Sequence, residues 1–371
     1  MRIGLVGGGS GGHFYPLIAV AQELSERVEN PELYYYGPEP YNTELLQTYN
    51  IRFSRVPAGK VRRYFSVLNV LDTFRTFWGL LVALAKLYWH YPDVILTRGS
   101  YASVPIVLAA WFYRIPIVVQ ESDVKPGRAN RLAGRFAKYI AISWAPTAEY
   151  FKSKPTALTG IPIRREIRQE HPNPHQALGI PNDLPLLYVT GGSLGAERIN
   201  TLILNSLDEL LPHMRIYHQT GDTHIETVKK TARELLKDKP QLLEYYYAVG
   251  TANATTVNAL LSAARIVITR AGTTTLYEIA IHKKPAIVIP IPEDVSHDQR
   301  TNAYTYARNG AAVVIEERNL TEHLLQTELF SMLTDVDAYR NMQAATQEIA
   351  DTNAAVIISE ALLRIGQEHG S

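Results

Sequence analysis

Three segments combine glycines, hydroxyls and a titratable side chain in an order that suits anion binding and acid–base chemistry. Gly7-Gly8-Gly9-Ser10-Gly11-Gly12-His13 follows an apolar run, Ile3–Val6, and leads into an amphipathic stretch. Thr190-Gly-Gly-Ser-Leu-Gly-Ala196 repeats the pattern after Leu186–Val189, and Arg270-Ala-Gly-Thr-Thr-Thr-Leu-Tyr-Glu278 does so after Ile266–Thr269. Glycines let a ligand approach the backbone, and a helix that begins there offers N–H groups and partial positive charge to a phosphate. His13, displayed at a helix start above the carboxyl edge of a sheet, is a candidate general base.

Residues 7, 9 and 12 satisfy G-x-G-x-x-G, so a nicotinamide site has to be weighed. Such a site also wants an acidic residue at the end of the second strand to hold a ribose. That strand ends Tyr34-Tyr-Tyr-Gly37, with no acid before Glu39. The dehydrogenase reading is therefore disfavoured.

The segments need a scaffold that places loops at one sheet edge. Short apolar runs alternate with helix-length amphipathic stretches, the rhythm of parallel sheets covered on both faces. Strands are expected at Ile3–Val6, Leu33–Tyr36, Arg52–Val56, Val94–Leu96, Ile115–Val119, Tyr139–Ile142 and Ala157–Thr159. A second round is expected at Leu186–Val189, Arg215–His218, Glu244–Tyr247, Ile266–Thr269, Ala286–Ile289 and Ala312–Ile315. The first helix is expected to open at about Pro16. The turn-rich Gly160–Glu166 and His171–Pro174 read as a connector. The expected division is residues 1–160 as a first domain, 161–180 as linker, 181–350 as a second domain, and 351–371 as a C-terminal helix returning to the first domain. The fold class is α/β, with two doubly wound Rossmann-like domains facing across a cleft.

Composition narrows the function. The 371 residues hold 37 Lys plus Arg, 36 Asp plus Glu and no Cys, which excludes disulfides, thiolate nucleophiles and Cys-ligated metal. Residues 1–160 carry a net +7 and residues 161–371 a net −6. The basic half points to an anionic partner, a phosphate or a lipid surface, and no nucleic acid is expected. The N-terminus shows no secretory pattern. The longest apolar runs, Phe77–Ala85 and Val104–Tyr113, reach about ten residues where a membrane span needs about 20. With Lys60, Arg62 and Arg63 before it, the stretch around Phe77, Trp78 and Leu81 is read as an interfacial patch on an anionic membrane surface, the alternative being a buried crossover helix.

At these residues the chain resembles the MurG-like GT-B glycosyltransferases. Gly8-Gly9-Ser10-Gly11-Gly12-His13-x-x-Pro16 is similar to that family's GGTGGH-x-x-P, Gly191–Ala196 to GGSQGA, and Thr159-Gly160-Ile161-Pro162-Ile163-Arg164 to TGNPVR. Arg270-Ala271-Gly272 with Glu278 resembles R-[AS]-G…E, and the set covers nearly the whole chain in order. The resemblance implies an inverting transfer of N-acetylglucosamine from UDP-N-acetylglucosamine to an undecaprenyl-pyrophosphate-linked muramyl-pentapeptide, peripheral to the cytoplasmic face of the membrane. It implies His13 as base, with no cofactor and no metal. On the donor side it implies Ser10, Gly11, Gly12, Asp123, Arg164, Ser193, Gly272, Thr273, Thr274, Glu278, Asp298 and Gln299. On the acceptor side it implies Tyr101, Ser103 and Asn130.

The chain also departs from that pattern. Gln120-Glu121-Ser122-Asp123 replaces HEQN, Asp298-Gln299 replaces a His-Gln or Gln-Gln pair, and Asn253-Ala254 stands for Phe-Ile at the uracil pocket. Another UDP-sugar or acceptor, a UDP-sugar epimerase and a non-catalytic sugar-nucleotide-binding subunit remain as alternatives. Asp335-Val336-Asp337 is a D-x-D, read as a helix cap rather than a metal site.

Overall fold

The computed structural model describes residues 1–59, 68–192, 195–293, 298–308, 310–350 and 353–370. Arg62, Arg63 and Ser193, expected in the membrane patch and at the diphosphate, lie outside the described residues. The chain forms two compact units, Met1–Arg164 with Asp351–Ser371, and Arg165–Ala350.

The first unit runs β1 (Arg2–Val6), α1 (Gly11–Arg27), β2 (Glu32–Gly37), α2 (Thr43–Thr48), β3 (Ile51–Arg55), α3 (Leu68–His90), β4 (Val94–Thr97), α4 (Ser103–Phe112), β5 (Ile117–Glu121), α5 (Arg128–Phe136), β6 (Tyr139–Ile142) and β7 (Thr156–Leu158). All seven strands are parallel, in the order β3-β2-β1-β4-β5-β6-β7. Successive side chains of a strand point to opposite faces, and here they feed two cores. Ile3, Leu5, Leu33, Tyr35, Leu96 and Val118 pack against Phe14, Leu17, Ile18 and Leu24 of α1. Val6, Tyr34, Tyr36, Ile95, Ile117 and Val119 pack under Ala83 and Leu87 of α3 and Ile106 and Ala110 of α4. Both faces are covered, which is why the strands read as near-continuous apolar runs.

The second unit runs α6 (Arg165–Arg168), α7 (Pro174–Leu178), β8 (Leu186–Thr190), α8 (Glu197–Leu210), β9 (Arg215–Gln219), α9 (Ile225–Leu235), β10 (Tyr246–Val249), α10 (Ala254–Ala263), β11 (Ala264–Thr269), α11 (Thr273–Ile281), β12 (Ala286–Val288), α12 (Gln299–Ala307), β13 (Ala312–Val314), α13 (Glu322–Thr334) and α14 (Val336–Ile349). Its parallel strands follow β10-β9-β8-β11-β12-β13, the same winding as the first sheet. The last helix, α15 (Ala354–Gly370), belongs to the first unit again, where Ile358, Leu362 and Ile365 are buried with Ile3 and Leu5. Each such side chain contributes about 1.5–3 kcal/mol by leaving water.

Three expectations are corrected. The first helix begins at Gly11, five residues before Pro16, so His13 sits in its first turn. Strand β10 lies two residues beyond Glu244–Tyr247, because Pro240–Tyr245 turns as a 3₁₀ helix before the strand starts. The segment 161–180 is not a free connector. Ile167 is buried, its carbonyl accepts from His282 Nε2 at 2.8 Å, and His171 N–H donates to Ser262 Oγ at 2.8 Å. Those bonds fix α6 and α7 to the second unit.

Candidate active site

In a doubly wound sheet, ligands bind at the carboxyl ends of the strands where the winding reverses. In the first unit this is between β1 and β4. The two strands pair up to Val6 and Thr97, and Arg98 N–H donates to the Val6 carbonyl at 3.0 Å. The glycine-rich loop leaves β1 at this edge, with Ser10 as N-cap of α1 and its carbonyl accepting from the His13 and Phe14 N–H groups. Gly9 and Gly12 have open space where a Cβ would stand. His13 is half-buried, and its Nδ1 is buried without a hydrogen-bond partner. Burial, aided by the charge of Arg98, pushes its pKa down to about 4, against the opposing pull of Asp123 and of a hydrogen bond to the Arg98 backbone. Such an imidazole is neutral at physiological pH and free to accept a proton.

Beside His13 stands a polar cluster of which sequence reading named Asp123 and Asn130 but missed Glu121 and Arg98. Glu121, the last residue of β5, is buried. Its Oε1 accepts the Asp123 N–H at 2.8 Å and its Oε2 accepts Asn130 Nδ2 at 2.8 Å. Burial, then the charge of Asp123, pushes the Glu121 carboxyl up to about 8. Its backbone carbonyl takes Ser143 Oγ at 3.0 Å, and the same hydroxyl donates to Gly160 O, which anchors the Thr159–Arg164 segment. Arg98 completes the cluster as a buried guanidinium. The signal was available: Glu121 ends β5 and Arg98 follows β4 directly, each a charge at the carboxyl end of a largely apolar strand.

The remaining residues expected in this unit fall out as follows. Asn130 is buried, gives its amide to Glu121 and, at 3.4 Å, to the Arg98 carbonyl, and lies directly behind Gly99, whose φ of +81° leaves no room for a side chain. Ser103 is buried at the start of α4 and donates to Ser100 O at 2.8 Å. Both side chains are thus buried and hydrogen-bonded within the first unit. Tyr101 is half-buried, with its hydroxyl pKa raised by burial and by the charges of Glu39 and Asp72. Asp123 belongs to the His13 cluster through its charge. Arg164 lies over the Tyr15 ring at 3.9 Å, held against α1.

The second unit repeats the construction between β8 and β11. Thr190 and Thr269 end the paired strands side by side. Thr190 Oγ1 accepts the Gly192 N–H at 3.1 Å, as Thr97 Oγ1 accepts the Gly99 N–H at 3.1 Å in the first unit. Gly272 is the N-cap of α11 with open space where a Cβ would stand, followed by Thr273, Thr274 and Thr275 in the first turn and Glu278 further along. Arg270 braces this loop by an ion pair to Glu317 and bonds to the Ile289 and Pro290 carbonyls. Gln299, expected at the sugar, spends its Oε1 on two backbone N–H groups, Ala271 at 3.2 Å and Ile291 at 3.3 Å. Both partners are donors, so the oxygen is assigned without ambiguity, and the Nε2 group remains. Asp298 is the N-cap of α12. Asn253, expected at the uracil pocket, caps α10 by accepting the Thr256 N–H at 2.9 Å.

Deeper in this unit, His218 accepts or donates at both ring nitrogens, to Tyr246 Oη at 2.8 Å and Asn200 Oδ1 at 3.0 Å, and Asn200 Nδ2 donates to Thr220 O. This chain ties α8 to the end of β9. Asp335 caps α14 through the Ala338 N–H at 2.9 Å, and no group of three or more metal-ligating side chains occurs among the described residues. Among the described residues no helix is long and apolar enough to cross a membrane.

Comparison with known proteins gives one family for both units. Residues 3–142 match the glycosyltransferase family 28 N-terminal domain and residues 186–358 its C-terminal domain. A relative from Shouchella clausii, named UDP-N-acetylglucosamine–N-acetylmuramyl-(pentapeptide) pyrophosphoryl-undecaprenol N-acetylglucosamine transferase, is 36% identical over 97% of this chain and 98% of its own. One of the same name from Clostridium kluyveri is 31% identical over 97% and 99%. Among solved structures, Acinetobacter baumannii MurG superposes with a TM-score of 0.71 at 21% identity, covering 98% of this chain and 100% of that one. A UDP-GlcNAc 2-epimerase from Neisseria meningitidis reaches the same TM-score at 15% identity, also covering 98% and 100%. At those identities the structures share the fold alone, whereas the domain matches and the curated relatives carry the family. The chain belongs to glycosyltransferase family 28 and is a hexosyltransferase with the two parallel α/β units of the GT-B fold.

Proposed function

We propose that this protein transfers N-acetylglucosamine from UDP-N-acetylglucosamine to a lipid-linked N-acetylmuramyl-pentapeptide, inverting the anomeric carbon, while peripheral to the cytoplasmic face of the membrane. The observation that carries the reading is His13, a neutral imidazole at the winding reversal of a family 28 N-terminal domain. In the transfer, His13 takes the proton of the acceptor hydroxyl as its oxygen bonds to the anomeric carbon. The bond from that carbon to the UDP oxygen breaks, and its electron pair leaves with UDP. A positioned base is worth about 10²–10⁴-fold. The second unit's amides at Gly272 and the α11 N-terminus, with Thr273 and Thr274, hold the departing charge, and Glu278 accepts the ribose hydroxyls. Oriented N–H groups suit that charge before it forms.

The membrane reading is supported by α3. Phe74 is 68% exposed, Trp78 60% and Trp89 79%, with Leu71, Phe77 and Leu81 exposed beside them, while Ala83 and Leu87 face the core. Trp111 and Phe112, at the end of α4, extend the apolar area. A contiguous exposed apolar stripe of this kind marks an interaction surface.

The test is a donor panel with a short-chain lipid acceptor analogue. UDP release that requires acceptor, fastest with UDP-N-acetylglucosamine, supports the reading. Clear preference for UDP-glucose or UDP-galactose would reject the donor, and acceptor-independent isomerisation would replace the transferase with an epimerase.

A further inference from the structure

His218 is fully buried at the end of β9, and both of its ring nitrogens are taken, by Tyr246 Oη at 2.8 Å and Asn200 Oδ1 at 3.0 Å. The directions of these bonds follow from their ends. Asn200 Nδ2 donates to the Thr220 carbonyl at 3.0 Å, so its Oδ1 is the atom left to accept from the ring. Nε2 is therefore assigned the hydrogen of a neutral imidazole, and Nδ1 accepts the Tyr246 O–H. Burial keeps both partners in those states, pushing the imidazole pKa down to about 3 and the Tyr246 hydroxyl up. Each donor in the relay thus has its acceptor, and the relay ends on the Thr220 carbonyl.

That carbonyl is the seat of the glycine loop that follows β8. A Cβ on Gly195 would run into the Thr220 carbonyl, and the φ of Gly195 is +75°, so the loop backbone rests on the end of β9 with no room for a side chain. The same peptide group gives its N–H, that of Gly221, to the Gly250 carbonyl at 2.9 Å, so it is held at both ends. Earlier in the loop, Gly192 has a φ of +82° and open space where a Cβ would stand, and its N–H is bonded to Thr190 Oγ1. The loop leaves β8 beside β11, where the winding of the second sheet reverses and such sheets bind their ligands.

We infer that His218 is a positioning residue for donor binding: through Asn200 it sets the Thr220 carbonyl against which the β8 glycine loop packs, and so keeps that loop's backbone open to a diphosphate. His218 itself touches no ligand. This rests on the second unit holding UDP. A glycine loop has many accessible forms, and binding is stronger when that freedom is already lost before the ligand arrives. Apolar packing is non-directional, whereas three hydrogen bonds in series specify one place for the carbonyl. Because the relay is buried, water does not stand in for a missing member, and its loss passes on to the loop.

The test is calorimetry on the full-length protein with UDP and with uridine, which differ by the diphosphate. His218→Phe removes both ring bonds and should weaken UDP about tenfold, the scale of one hydrogen bond, while uridine affinity stays at the parent value. His218→Gln, whose Nε2 can still donate to Asn200, should restore UDP affinity. In turnover with UDP-N-acetylglucosamine, His218→Phe should raise the donor KM and retain kcat at saturating donor. Gly195→Ala should reproduce the selective loss from the loop's own side with the relay intact, and it carries the test where His218→Phe fails to fold. Equal weakening of UDP and uridine, or parent affinity for UDP in either His218→Phe or Gly195→Ala, overturns the inference while leaving the nucleotide reading intact. A parent protein that binds neither UDP nor uridine overturns the nucleotide reading and the inference with it.

Discussion

Asn130 Nδ2 donates to Glu121 Oε2 at 2.8 Å, inside the first unit, where neither side chain reaches solvent. The bond joins α5 to the end of β5 and holds the carboxyl behind His13. Asn130→Ala would leave that oxygen buried without its donor, costing about 1–3 kcal/mol. The urea midpoint should fall accordingly, whereas an unchanged midpoint would show that the cluster opens to water.

His13→Ala should lower turnover about 10²–10⁴-fold. UDP affinity by calorimetry should stay nearly unchanged, since Thr273, Thr274 and Glu278, proposed to hold UDP, belong to the second unit. The acid limb of kcat/KM, which reports the free enzyme, should fall near pH 4. A limb near pH 6.5, the ordinary imidazole value, would contradict a buried His13 with Arg98 beside it.

His218 gives a stability prediction. Burial pushes its pKa down to about 3, so the folded state keeps it neutral where an unfolded chain, near 6.5, would bind a proton. Stability linked to His218 is complete above pH 6.5 and is lost as pH falls towards 3, by about 1.4 kcal/mol per pH unit. His218→Gln should flatten the fall in urea stability between pH 6.5 and 5 relative to the parent. Parallel slopes would mean that the ring is hydrated.

Gln299 should act on two loops at once. Gln299→Leu removes the oxygen shared by the Ala271 and Ile291 N–H groups and should weaken donor binding about tenfold, near 1.4 kcal/mol, a typical hydrogen-bond contribution. Gln299→Glu keeps an oxygen for both N–H groups and should retain UDP affinity while losing any sugar contact made through Nε2. Equal losses in both variants would reject the clip.

Membrane contact should follow the apolar stripe of α3. Replacing Phe74, Trp78 and Trp89 by Ser should release the protein from anionic vesicles in flotation, while activity on a soluble acceptor survives. Added salt should weaken parent binding, since charges are screened over about 8–10 Å. Retention of the triple variant on vesicles would assign the stripe to another partner.

The strands were legible because a parallel sheet buried on both faces asks for short unbroken apolar runs such as Val94–Leu96 and Ile117–Val119. The glycine-rich loops were legible because close backbone approach excludes other residues. Arg98 and Glu121 were not, since each looks like an ordinary boundary charge until pairing puts its strand beside β1 or β4. The partners of Asn130 were hidden for a related reason: a motif names the residue but not the direction of its amide, which packs against Gly99 and bonds to Glu121. The helices α6 and α7 were hidden by prolines and polar residues that resemble a connector until Ile167 and His171 are seen bonded to the second unit.

The return of α15 to the first unit has a bearing on biosynthesis. The ribosome delivers β1 long before the side chains that close the sheet over Ile3 and Leu5, namely Ile358, Leu362 and Ile365. The second unit is encoded wholly between these two pieces. Domains fold as units during synthesis, so the second unit can mature on the nascent chain while the unit carrying His13 waits with an open apolar flank. A truncation that removes only the final helix should therefore spare the second unit and leave the first for chaperones and proteases. Enzyme activity would thus depend on synthesis of α15, which keeps chains that stop short of it from acting.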